Sequence, residues 1–208
     1  MKSKKNYLLV SALIIVVVLV ACSKNNGDFP KFLTKEGIQP YNLSESEKDL
    51  LRSFGIEEEN SQIIYFNAPK EAIAMDINVY KLGDDKKWEM IGGGGISIGK
   101  EREPIEQLAG TLAMQLRENH VIYFNINCGG RASFKTDEII LDTETMMSMK
   151  GFLQEFQRIE MDKEIPVAFM VYDSGTIMRS YSLQDYFEPS KFEGMDLVQV
   201  VTLTFRGE

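Results

Sequence analysis

Alternation of apolar and polar positions marks most of this chain as strand. Met75-Asp76-Ile77-Asn78-Val79-Tyr80 alternates strictly, and Gly83-Asp84-Asp85 supplies a turn into Lys87-Trp88-Glu89-Met90-Ile91, so the two runs predict a hairpin. Gly92 to Gly95 reads as a break before Ile96 to Ile98. Ile63 to Asn67 is a short apolar run ended by Pro69, and Val121 to Cys128 alternates after a turn at Asn119-His120. Leu108, Leu112 and Leu116 fit a helix opened by Pro104 or a strand; Gly110 and Thr111 weaken the helix, and strand is the favoured reading. Val167 to Tyr172 is apolar on both faces, which suits a central strand, and Asp173-Ser174-Gly175 turns it into Ile177 to Tyr181. The last strand, Leu197 to Phe205, puts Val201, Leu203 and Phe205 on one face and Thr202, Thr204 and Arg206 on the other.

Two segments have helical spacing. Ser44 with Glu47 forms a capping box, Leu50, Leu51 and Phe54 supply an apolar stripe, and Gly55 is the expected stop. Met149, Phe152, Leu153 and Phe156 predict a second helix, weakened by Gly151. The fold class that follows is mainly β, an antiparallel sandwich or a β-rich α+β domain with one or two short helices.

The first two dozen residues have another character. Lys2, Lys4 and Lys5 precede an apolar run from Tyr7 to Ala21, which at 15 residues is shorter than the ~20 a membrane span needs. The run closes on Leu19-Val20-Ala21-Cys22, and polar Ser23-Lys24-Asn25-Asn26-Gly27-Asp28 follows. This segment resembles the signal of bacterial lipoproteins, with Leu19, Val20 and Ala21 as lipobox and Cys22 as the lipidated residue. The resemblance implies removal of residues 1–21, a diacylglyceryl thioether on Cys22, and residence on the extracytoplasmic face of a bacterial membrane. Residues 22–39 then read as the lipidated cysteine and a flexible tether, and residues 40–208 as a single β-rich domain, large enough to hold a core without disulfides or metal.

Charge changes the picture further. Without the leader the chain carries 20 basic and 31 acidic residues, a net charge of −11. That balance excludes a nucleic-acid partner and points to the membrane, through the anchor, and to a basic protein or peptide as partners. Cys128, the one other cysteine, falls in phase with Ile122, Phe124 and Ile126 and is expected to be an inert core thiol.

Candidate chemistry is thin. Gly94 to Gly99-Lys100 has the spacing of a phosphate loop, but Glu101 stands where a magnesium-binding hydroxyl belongs. Ser97-Ile98-Gly99-Lys100 has the Ser-x-x-Lys spacing without its companion motifs, and Asp173-Ser174-Gly175 resembles one half of an aspartic-protease pair. His120 is the sole histidine, so no two-histidine metal site can form. Met146, Met147 and Met149 suit core filling better than Cu(I), and the acidic pairs lack the spacing of a calcium loop. No cofactor and no metal are expected. One surface stands out: Asp76, Asn78 and Tyr80 share the outward face of one strand and Tyr123, Asn125 and Asn127 that of another, a ledge for sugars or a protein if the strands are neighbours.

The expected function is a non-catalytic, lipid-anchored envelope binding module. An immunity-type lipoprotein that neutralises a basic toxin, and an envelope hydrolase of unrecognised site, are the alternatives. Made in a bacterium, the full chain should incorporate labelled fatty acid and partition into detergent, and Cys22→Ser should do neither; equal labelling of the variant would exclude the lipobox.

Overall fold

The computed structural model describes residues 33–99, 107–176 and 179–207. The lipobox residues Leu19, Val20 and Ala21, with Cys22, lie outside the described residues. Among the described residues ten strands form two five-stranded antiparallel sheets, and the mainly β expectation is met. The strands are β1 (Gly37–Pro40), β2 (Ser61–Asn67), β3 (Ala74–Leu82), β4 (Trp88–Ser97), β5 (Ala109–Leu116), β6 (Ile122–Asn127), β7 (Arg131–Lys135), β8 (Met147–Phe152), β9 (Ile165–Asp173) and β10 (Leu197–Arg206). The first sheet has the order β1-β2-β5-β6-β7 and the second β4-β3-β10-β9-β8. Residues alternating inward from both sheets make one core, among them Ile64, Phe66, Leu112, Phe124 and Ile126 against Ile77, Val167, Val201, Leu203 and Phe205. No helix among the described residues is long and apolar enough to cross a membrane.

The one α-helix among the described residues, α1 (Glu45–Ser53), forms where the capping box places it. The Ser44 and Glu47 side chains each hold the other's backbone N–H, and Gly55 follows in the left-handed region. The hairpin of β3 and β4 forms as well, but Gly92 to Gly95 do not interrupt it; β4 continues through all four. Their lack of side chains is what brings the sheets together at this edge. A Cβ on Gly94 would stand 2.7 Å from the Phe134 ring of β7, and one on Gly92 3.1 Å from Thr136. Phe134 itself stacks on Phe124 at 4.8 Å, so β4 seats an aromatic pair of the opposite sheet.

Three other expectations are corrected. The stretch assigned to the tether contains β1, which pairs with β2, and Asn67 Nδ2 donates to Leu33 O at 2.9 Å, so the fold begins before residue 40. Met149 and Phe152 belong to a strand, because Gly151 admits the Phe169 ring beneath it, 2.2 Å from where a Cβ would lie, and β8 pairs with β9 throughout. Of the strand expected after Asp173-Ser174-Gly175, Ile177 and Met178 lie outside the described residues, and Arg179 to Tyr181 are in no sheet. The segment instead leads to a cap over the outer face of the second sheet.

That cap is two short 3-10 turns, Leu183–Phe187 and Pro189–Phe192. Tyr186 and Phe192 join Phe169, Val171, Val198 and Val200 in a second apolar cluster. Trp88 stacks on Tyr186 at 5.2 Å and donates from Nε1 to its carbonyl at 2.9 Å. Asp185 opens the cap with a second capping box to Ser182 and accepts from Lys191 Nζ at 2.7 Å. Burial pushes the Asp185 carboxyl up, and the bonds from Lys191 and Ser182 overcome it, leaving the group below its ordinary 3.8.

Two predictions follow from these contacts. Gly94→Ala should lower the unfolding free energy by about 1–3 kcal/mol in urea titrations, by crowding Phe134, while Gly130→Ala, with open space around its Cβ, should change it little. Because its folded value is depressed, Asp185 stabilises the protein above its unfolded value and loses that contribution as pH falls through the lower folded one. Fluorescence of Trp88, the single tryptophan, should therefore report the cap loosening below about pH 4, and Asp185→Asn should flatten that step.

Candidate functional site

The cap covers β3, β10 and β9 but stops short of β8, and a cleft opens between them. Its floor is Phe169 and Gly151, its strand wall Met149 and Phe152, and its far wall Tyr181, Ser182 and Leu183. The volume is about 580 Å³, within the range of small-molecule sites. A second hollow of about 310 Å³ shares Met149 and continues along the strand past Met147, Val171 and Met195. Gly151 admits the Phe169 ring, which takes the space a side chain there would need and forms the floor. Three methionines, with Phe152, Phe156 and Phe169, give the surface an adaptable apolar lining.

Polar residues also line the cleft, among them Lys150, Gln154, Glu155, Ser182 and Gln184, and Tyr181 stands at its wall. Its ring stacks on Phe192 at 4.8 Å, while its hydroxyl is buried with no hydrogen-bond partner among the described residues. An unmade bond of this kind costs roughly 1–3 kcal/mol. Gln199, fully buried on β10, is similar: Nε2 donates to His120 O at 3.1 Å, and Oε1 has no partner among the described residues.

The ledge expected from the sequence is not assembled. β3 pairs with β4 and β10, and β6 with β5 and β7, so the two triplets sit on different sheets. Tyr123, Asn125 and Asn127 are exposed on β6; Lys135 Nζ stands 5.7 Å from the Tyr123 ring, and Asn125 Oδ1 accepts from Ser133 at 2.8 Å. Asp76, Asn78 and Tyr80 do line one face, and they meet a residue the sequence did not single out, Glu164. Its carboxylate accepts from Tyr80 and Tyr186 hydroxyls at 2.5 Å each, Thr202 Oγ1 at 3.3 Å and Asn78 Nδ2 at 3.5 Å. Burial and then the Glu164 bond push the Tyr80 phenol up to about 12, and Tyr186 is raised by the same causes. Asp76 is taken by Arg206 at 2.7 Å. The acceptors and donors of this face satisfy one another, and they fasten the cap to the sheet.

The remaining singled-out residues lie apart. Cys128 is buried beyond the end of β6, in phase with the core as expected, and burial pushes its thiol up against the opposing effect of a backbone bond with Ala109. His120 occupies a turn at the other end of that strand, with Nδ1 donating to Ile139 O at 2.8 Å and its ring edge on Tyr172 at 4.4 Å. Burial lifts the Tyr172 phenol to about 12. Ser97 ends β4 and accepts from Gly99 N–H; Asp173 ends β9 and accepts from Gly175 N–H at 3.0 Å. Lys100 and Glu101 lie outside the described residues. Among the described residues no group of three or more His, Cys, Asp and Glu converges as metal ligands would.

Glu164 is half of an Ile-preceding loop in the sequence, and nothing in its neighbours distinguishes it from a solvated carboxylate. The cleft was equally hidden, because its walls come from three separate segments. No protein-family model matches the chain, and neither a curated protein nor a solved structure matches it.

Proposed function

We propose that this chain is a lipid-anchored, extracytoplasmic binding module that seats an apolar ligand in the cleft along β8. The leader, with Leu19, Val20, Ala21 and Cys22, supports the anchor and the bacterial membrane as its location. The observation that carries the binding reading is the cleft of about 580 Å³ itself, bounded by Met149, Phe152, Phe169 and Leu183, a volume and a partly apolar lining of the kind that seats small molecules. A non-catalytic role fits the dispersal of Ser97, His120, Cys128 and Asp173 over separate parts of the fold, where no nucleophile and base pair is formed among the described residues. An envelope hydrolase would need such a pair to assemble.

A second reading, the immunity-type lipoprotein, is favoured by the net charge of −11 outside the leader, which suits a cationic toxin or peptide.

The mature chain from Ser23, made without lipid, should bind an uncharged fluorescent apolar probe such as N-phenylnaphthylamine. Met149→Asp should weaken that binding by about tenfold or more, by placing a charge in the cleft. Tyr181→Phe should leave stability equal or raise it by up to about 1 kcal/mol, since it removes an unsatisfied hydroxyl. Probe binding that ignores Met149→Asp would exclude the cleft as the seat.

A further inference from the structure

Helix α1 is an anomaly of packing. It has nine residues and an amphipathic pattern, yet none of them is buried. Leu50 is 57% and Phe54 72% exposed, one turn apart on the same face. A helix this short is marginal without tertiary packing. It is held instead by polar devices: the capping box, a hydrogen bond from the Tyr41 hydroxyl to Glu47, and ion pairs from Lys48 and Arg52 to Glu58 at 3.2 and 3.0 Å. The sequence thus maintains an apolar helical stripe that the fold itself does not use.

The surroundings of the stripe narrow what could cover it. Residues 45–59 hold six acidic and two basic side chains, a net charge of −4. Both cations are occupied, Lys48 by Glu45 and Glu58 and Arg52 by Asp49 and Glu58. A second copy of the chain would bring the same negative charge against itself. A bacterial membrane surface, commonly anionic, would be repelled in the same way.

We propose that the exposed face of α1 docks a basic, amphipathic segment of another protein, whose apolar residues cover Leu50 and Phe54 while its cations meet Glu45, Asp49, Glu57 and Glu59. The seat is distinct from the β8 cleft. It rests on the cationic-partner reading only for the sign of the charge, and adds to it a place and an apolar requirement. Such an interface pairs a small desolvated anchor with a charged rim, so the apolar contact sets the dissociation rate and the charges set the association rate.

The test uses the full chain in nonionic detergent, with empty micelles subtracted, and three fluorescent probes: a Leu/Lys peptide of helical spacing, an isomer of the same composition with the spacing scrambled, and oligolysine. The helical peptide should bind most tightly and weaken as salt rises. The double substitution Leu50→Ser and Phe54→Ser, at exposed positions, should reduce its affinity at least about tenfold while leaving the circular dichroism and the oligolysine affinity unchanged. Equal binding of the two Leu/Lys isomers, or an unchanged affinity in the double variant, would overturn the docking face and leave the charge reading standing. Failure of all three probes to bind would remove both. A concentration-dependent dimer abolished by the double substitution would assign the face to a second copy. Protection of the 45–53 amides from hydrogen exchange on transfer to phosphatidylglycerol vesicles, without peptide, would assign it to lipid.

Discussion

Everything about this fold follows from β10 being buried on both faces. Leu197 to Phe205 are buried without exception. Val201, Leu203 and Phe205 fill the space between the sheets, which any sandwich provides. Val198 and Val200 face the other way, where a sandwich would expose them to water. Each such side chain gains about 1.5–3 kcal/mol on burial, so the chain needs a second cover for the second sheet. Residues 181–196 supply it, and Trp88, Tyr186 and Glu164 fasten it down. Thr202 under the same cover keeps its hydroxyl paired by donating to Glu164.

The cover has a limited reach, and that limit creates the apolar surfaces the fold leaves open. It fills the outer face as far as β9 and leaves β8 beside a cleft. Gly151 lets the buried Phe169 ring lie across its backbone, and that ring forms the cleft's floor. Helix α1 packs only in part, with Leu51 half-buried, and leaves Leu50 and Phe54 exposed among carboxylates. These surfaces differ in chemistry. The cleft combines apolar side chains with scattered polar ones, while the helix is apolar within an acidic field. The apolar ligand and the cationic partner proposed for them would therefore not compete for the same place.

Glycine does unlike work in the two sheets. At Gly94 it lets the opposite sheet come close, with Phe134 seated against bare backbone. At Gly151 it admits the Phe169 ring of the paired strand on the outer face. In both strands the residue would read as a breaker if only local propensity acted. Pairing on either side, of β4 with β3 and of β8 with β9, outweighs that local cost.

Period-two alternation determined most of the strands, because burying one face of a sheet imposes it wherever the other face is polar. The capping box determined α1, since Ser44 and Glu47 satisfy its first N–H groups without help from elsewhere. The phase of Cys128 determined its burial for the same reason of alternation. Tertiary structure alone decided the rest. Met149 and Phe152 are three apart, a spacing that serves a helix face, and only the partner strand made them β. Asp76, Asn78 and Tyr80 were legible as one face, but Glu164, 84 residues beyond Tyr80, turned that face from a ledge into the fastening of a cap. Which strands become neighbours depends on contacts between residues far apart in the chain, and a local pattern carries no record of them.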